Sequence, residues 1–164
     1  MSLFFAIVAI CVSGALWLRF VYRFDKAEPE PLKVVIRIGI VGGLLSGLPA
    51  GALNTFFAAL ADIPLGGSDL PIPSALAVSL FVGFNEEILK ALVTILLIRG
   101  LREFNEPIDA LVYSTAVALG FAVFENFDYV LGESMWVLLI RSFTAMPLHL
   151  GLAVIWGYGI AKGK

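Results

Sequence analysis

Apolar residues run through this chain in five long blocks, and the polar residues between them collect into short loops. The first block, Leu3–Tyr22, is interrupted only by Ser13 and Gly14 before Arg19. It exceeds the length of a signal-peptide core and no basic stretch precedes it, so it is expected to remain as a span. Four further blocks cover about 36–61, 74–98, 107–131 and 135–160. A helix crossing a bilayer needs about 20 mostly apolar residues. The pattern therefore predicts an all-α, polytopic membrane protein, a bundle of about five transmembrane helices forming one domain over 1–164.

The loops agree with this reading. Asp25-Lys26-Ala27-Glu28-Pro29-Glu30-Pro31 is charged and broken by proline, as expected of a membrane-surface loop. Residues 62–73 hold three prolines and two glycines with no Lys or Arg, and Gly132-Glu133-Ser134 turns the chain into the last block. The second block carries Gly39, Gly42, Gly43, Gly47 and Gly51 on closely spaced turns. Small residues at such spacing let helices approach closely, either within the bundle or across a dimer face.

Composition narrows the class further. With 60% hydrophobic and 15% charged residues, the chain has too little polar surface to cover a water-soluble globule. A soluble enzyme domain, a disordered regulator and a nucleic-acid binder are excluded, and the net charge of −2 makes no case for an anionic partner. Cys11 is the lone cysteine and cannot close an internal disulfide.

Lys and Arg also set the expected orientation. Arg19, Arg23, Lys26, Lys33 and Arg37 flank the first loop, Arg99 and Arg102 lie in the third, and Lys162 and Lys164 follow the last block. The second and fourth loops have none, which predicts a cytoplasmic C-terminus, an external N-terminus, and Asp62, Asp69 and Glu133 outside. The external 62–73 loop leads into the third block and is expected to border the entry to any site that block carries.

Only two basic residues, Lys90 and Arg141, lie deep within blocks, where they share the bilayer with Glu86, Glu87, Glu125 and His149. A charge in the hydrocarbon core costs at least about 2.5 kcal/mol on insertion scales, so such residues face a bundle interior or water and are commonly functional. Lys90 stands four residues from Glu86 and three from Glu87, within intrahelical reach of either. One ion pair there leaves a second carboxylate unaccounted for, and a buried glutamate is suited to general acid–base work. Arg141, Ala145 and His149 fall on one helical stripe, and Pro147 can kink that helix. Glu125 and Asn126 lie near a helix end, where an ion pair between Glu125 and Arg141 is the structural alternative to a role in the site.

Depth helps to sort these residues. Glu86 is 12 residues in from Ser74 and His149 is 14 in from Met135, or about 18 and 21 Å. Glu86 or Glu87 is therefore expected within direct or one-water hydrogen-bond reach of His149. Glu125 and Arg141 each lie six residues from a block end, about 9 Å down.

Glu86-Glu87-x-x-Lys90, Gly120-Phe121-Ala122-x-x-Glu125-Asn126, and Arg141 followed by Pro147-x-His149 resemble the PrsW family of intramembrane proteases, as does the Glu-Pro-Glu-Pro stretch at 28–31. The order and spacing cover about residues 20–160. The wider clan includes type II CAAX prenyl proteases, where a histidine would stand in place of Glu125; the glutamate favours PrsW. The resemblance implies an endopeptidase of a prokaryotic cytoplasmic membrane that cuts a membrane-anchored protein of the anti-sigma-factor kind. It implies Glu86, Glu87, Glu125 and His149 as catalytic residues, with Lys90, Asn126 and Arg141 supporting them. It also implies further helices in many members beyond the fifth.

A glutamate-activated water is the implied nucleophile, with His149 orienting it or stabilising the oxyanion. A divalent metal such as Zn²⁺, which commonly takes three protein ligands and water, and a metal-free glutamate mechanism both stay open, since no His-Glu-x-x-His motif is present. The same buried Glu/Lys/His set would also serve a proton- or ion-coupled transporter or channel component, against which stands the absence of an inverted repeat. A non-catalytic membrane partner, with the polar set as glue between helices, is the third reading.

Overall fold

Within a bilayer no water is present to bond backbone N–H and C=O groups, so a long apolar segment satisfies them by coiling. In a computed structural model, residues 3–26, 28–63, 70–130 and 134–163 are described. Among them are α1 (Leu3–Tyr22), α2 (Leu32–Ala61), α3 (Ile72–Ile98), α4 (Pro107–Val130), α5 (Met135–Phe143) and α6 (Ala145–Lys162). α1, α2, α4 and the stretch Trp136–Lys162 are long and apolar enough to cross a membrane. α3 has 27 residues, about 40 Å, and carries Glu86, Glu87 and Lys90 at mid-length. The molecule is an all-α polytopic membrane bundle.

Two boundaries differ from the sequence pattern. α2 starts at Leu32, directly after Pro31, because proline fixes the backbone before a helix and ends the loop there. The last apolar block is two helices, broken at Thr144 (φ −118°, ψ −63°). Pro147 explains the break: it is the third residue of α6, where its missing N–H would otherwise be an unpaired helix-start donor. The proposed entry loop at Gly66–Asp69 and the position of Glu133 lie outside the described residues.

α4 is the axis of the bundle and packs against all five other helices. Ala110, Tyr113, Ala116, Val117, Ala118, Phe121 and Ala122 are buried along it. Phe56, Leu60, Phe84, Trp136 and Ile155 point outward on the surrounding helices, the arrangement expected where lipid is the solvent. The closest crossing joins α2 to α4. A Cβ on Gly120 would collide with the Gly39 carbonyl, one on Gly43 with the Gly120 backbone, and one on Gly47 would come within 2.8 Å of the Phe124 ring. The small-residue stripe is thus a packing seam from Gly39 to Gly47. Gly51 departs from it, since a Cβ there meets nothing within 4 Å.

The loop between α1 and α2 is fastened to α4 by its acidic residues. Tyr113 donates to Glu30 Oε2 at 2.5 Å, Tyr22 donates to the Glu30 carbonyl at 2.5 Å, and the Glu30 N–H donates to Asp25 Oδ2 at 2.8 Å. Asp109 accepts the N–H groups of Asn105 and Glu106 at the start of α4, where a carboxylate also complements the helix dipole. Burial pushes the Glu30 carboxyl up to about 7; the Tyr113 hydrogen bond opposes this and the nearby Asp109 and Asp25 reinforce it.

Candidate active site

α3, α4 and α6 each bring one part of the polar cluster to a common level, through helical spacings that place carboxylates and rings on inward faces. On α3, Lys90 is fully buried and donates to Glu87 Oε1 at 2.5 Å. Its ammonium also stands 2.7 Å from His149 Nδ1 and 4.3 Å from the centre of the Phe121 ring. The intrahelical pair thus forms with Glu87.

His149 is held from both sides. Glu87 Oε1 is 3.4 Å from Nδ1, Glu125 Oε2 is 3.3 Å from Nε2, and the Phe121 ring meets the imidazole edge-on at 5.4 Å between centres. An ammonium only donates hydrogen bonds. A charged Lys90 therefore makes Nδ1 an acceptor and leaves the ring proton on Nε2, donated toward Glu125.

Glu125 answers both sequence readings at once. Its Oε2 is 2.7 Å from Arg141 Nη2 as well as 3.3 Å from His149 Nε2. The break at Thr144 lets Arg141 and His149, on successive helices, converge on the one carboxylate. Arg141 also donates from Nε to Asn126 Oδ1 at 2.6 Å and lies over the Tyr129 ring at 3.8 Å. The structure thus brings Glu87, Lys90, His149, Glu125, Arg141 and Asn126 into one connected network.

Glu86 points elsewhere. It is buried, its Oε1 accepts from Asn54 Nδ2 at 3.3 Å, and it lines a cavity of about 560 Å³ between α2, α3 and α4. Gly51, Asn54, Phe121, Glu125 and Asp128 share that lining. The depth reasoning that placed a glutamate beside His149 is met by Glu87, while Glu86 faces the cavity.

Three contributors escape a reading of charged residues alone. Trp156 donates from its indole to Glu87 Oε2 at 2.9 Å; in sequence it reads as one more apolar residue of the last block. Asn54 reaches Glu86 from α2, and Asn85 donates to Asn54 Oδ1 at 2.8 Å and to the Ala50 carbonyl at 3.2 Å. The signal for Asn54 was its being an amide within an otherwise apolar and small-residue helix.

Comparison with known proteins shows the family. A family model described as PrsW family intramembrane metalloprotease matches residues 30–164. The chain is 30% identical over 162 residues to Protease PrsW of Geobacillus kaustophilus, covering 99% of this chain and 68% of that protein. It is 31% identical over 163 residues to Protease PrsW of Clostridioides difficile (97% and 64%), and 27% over 161 residues to that of Bacillus subtilis (98% and 70%). The chain thus spans about two thirds of the length of these relatives. No solved structure matches it. Adjacent glutamates of which Glu86 is buried, a histidine between carboxylates and a helical membrane bundle, together with matches over nearly the whole chain, place this protein in the PrsW family of intramembrane proteases.

Proposed function

We propose that this chain hydrolyses a peptide bond of a membrane-anchored protein, of the anti-sigma-factor kind, with water activated by Glu86. The observation that carries the reading is Glu86, buried at membrane depth, facing a cavity that also reaches Glu125. Of the two adjacent glutamates, Glu87 is committed to Lys90 and Trp156. Among the described residues, the Glu86 carboxylate is bonded by Asn54 alone. Glu86 is therefore the carboxylate with capacity left for water.

In this reading Glu86 takes a proton from water as the water oxygen bonds to the scissile carbonyl carbon. As substrate enters, the His149 Nε2–H exchanges its 3.3 Å bond to Glu125 for one to the developing oxyanion, the kind of electrostatic stabilisation that contributes most to acyl-transfer catalysis. Glu86 then passes its proton to the amine nitrogen as the C–N bond breaks, leaving a carboxyl and an amine terminus. Glu87 and Lys90 hold the ring and its tautomer. We place the N-terminus outside and the C-terminus in the cytoplasm, from the distribution of Lys and Arg.

The family description implies a metal. The donor set of this structure does not fit one. Glu87 and Glu125 approach opposite nitrogens of a single imidazole, and the Lys90 ammonium stands at Nδ1. A zinc site needs about three donors around one point, and no group of three or more His, Cys, Asp or Glu side chains so disposed occurs among the described residues.

The test is cleavage of a co-expressed single-span membrane protein by the parent and by Glu86→Gln, with equal amounts of folded enzyme. General-base catalysis contributes roughly 10²- to 10⁴-fold, so the variant should fall by at least the lower figure. Parental turnover in Glu86→Gln would overturn the reading.

A further inference from the structure

Next to Glu86 stand two amides that the chemistry described so far does not use, Asn54 in the cavity wall and Asn85 behind it. Asn54 lies on α2 with 8% of its surface exposed, and Asn85 lies on α3 beside the glutamate pair. Burying a side-chain amide without partners costs about 1–3 kcal/mol, and no backbone in a regular helix requires one at either position. Their hydrogen bonds run in a single direction. The Asn85 amide nitrogen gives its two hydrogens to the Ala50 carbonyl and to Asn54 Oδ1. With its oxygen thus taken, Asn54 can turn only its own NH₂ toward Glu86, where the distance is 3.3 Å. The order fixes which end of each amide faces which neighbour, and it crosses from α3 to α2 and back to α3.

We infer that Asn54, oriented by Asn85, is a positioning residue that fixes the Glu86 carboxylate so that its second oxygen is presented to the cavity. This rests on the reading of Glu86 as the base and adds how that base is aimed. The physical need is direct. A glutamate has three side-chain torsions, and on a helix facing an open space of about 560 Å³ it would sample several of them. A bond at Oε1 removes that freedom, and misplacement by about 1 Å is enough to cost on the order of 10²-fold in rate. Gly51 lies one turn before Asn54 on the same wall, and the open space where its Cβ would be keeps the approach to Glu86 clear. Glu87 needs no such device, being held by Lys90 and Trp156.

The experiment is a steady-state comparison of purified, detergent-solubilised enzyme acting on one single-span substrate. Asn54→Leu removes the donor at similar volume. Asn54→Asp keeps both the shape and the acceptor for Asn85 but sets an oxygen where the donor was. Asn85→Leu leaves the Asn54 donor in place and releases its orientation. The expected result is a kcat lowered about 10- to 100-fold in Asn54→Leu, by at least as much in Asn54→Asp, and by about 3- to 10-fold in Asn85→Leu. KM should stay within about twofold throughout, because the amides act on the base and not on substrate binding.

Each change is repeated in the Glu86→Gln background, where Asn54→Leu should produce no further fall in residual turnover. Parental kcat in Asn54→Leu, or a fall of equal size in the Glu86→Gln background, would overturn the inference while leaving the role of Glu86 intact. Parental kcat in Glu86→Gln itself would overturn the underlying functional reading. A loss confined to KM, or one that follows the fraction of unfolded protein and is absent once that is corrected, also refutes the positioning role.

Discussion

Replacing Glu87 with glutamine separates holding the site together from performing its chemistry. Glu87 Oε1 is 2.5 Å from the Lys90 ammonium, and Lys90 is wholly removed from solvent. At an effective dielectric constant of about 20, two unit charges at that separation attract by roughly 6–7 kcal/mol before desolvation is subtracted. Breaking one side of a buried pair leaves the other charge uncompensated, and such changes cost about 3–5 kcal/mol. A Gln at 87 keeps an acceptor oxygen for Lys90 or for Trp156, but not both charge-assisted bonds. Glu87→Gln is therefore expected to lose about 3–5 kcal/mol of stability, a large part of what a domain of ordinary stability possesses.

The partner change clarifies the cause. In Glu87→Gln, Lys90→Met both charges are gone, so the double variant should be more stable than the sum of the single losses by at least about 2 kcal/mol. Thermal or denaturant-induced unfolding in detergent, followed by tryptophan fluorescence, reads these differences, and Trp156 provides a reporter at the pair itself. Glu86→Gln, which removes no counterion bonded to Lys90, should unfold within about 1 kcal/mol of the parent. A Glu87→Gln variant as stable as Glu86→Gln, or single losses that simply add, would refute the assignment of Glu87 as the fixed member of the pair.

Glycines of α2 and α4 are expected to respond with opposite signs: Gly120→Ala, whose Cβ would collide with the Gly39 carbonyl, should lose about 1–3 kcal/mol or more, whereas Gly51→Ala, with open space around it, should gain about 0.5–1 kcal/mol, both by the same unfolding measurement. The Glu30 carboxyl, raised from 4.5 to about 7, binds its proton more tightly folded than unfolded; its contribution is complete below about 4.5 and is lost as pH rises through about 7. Glu30→Gln should therefore gain stability relative to the parent from pH 5 to 8, and a difference flat across that range would contradict the buried environment. Trp156→Phe removes a donor to a charged carboxylate and should lose about 1.5–3 kcal/mol, which unfolding of the purified variant would measure.

Some of this molecule is written in one dimension. Five apolar blocks of bilayer length require helices, because only an internally bonded backbone is tolerated in hydrocarbon, and the deep Glu86, Glu87, Lys90, Arg141 and His149 could be picked out because charge there has no bland explanation. Helical spacing was enough to show that Lys90 reaches a glutamate three or four residues away. Which one it reaches could not be read from spacing, since both lie within range; that was decided by His149 and Trp156 arriving from α6 on the side of Glu87.

Likewise, local counting set Glu125 with Arg141 and the resemblance set it in the site, and the break at Thr144 reconciled the two by letting Arg141 and His149 meet the same oxygen. The roles of Asn54 and Trp156 could not be assigned from sequence for a related reason. An amide or an indole in an apolar helix acquires its meaning only from what packs against it, and the partners of these two lie 32 and 69 residues away in the chain. Hydropathy and spacing are properties of neighbours in sequence, so they determined the helices and the candidates. The choice between Glu86 and Glu87 depends on contacts between helices, and only the packed bundle could make it.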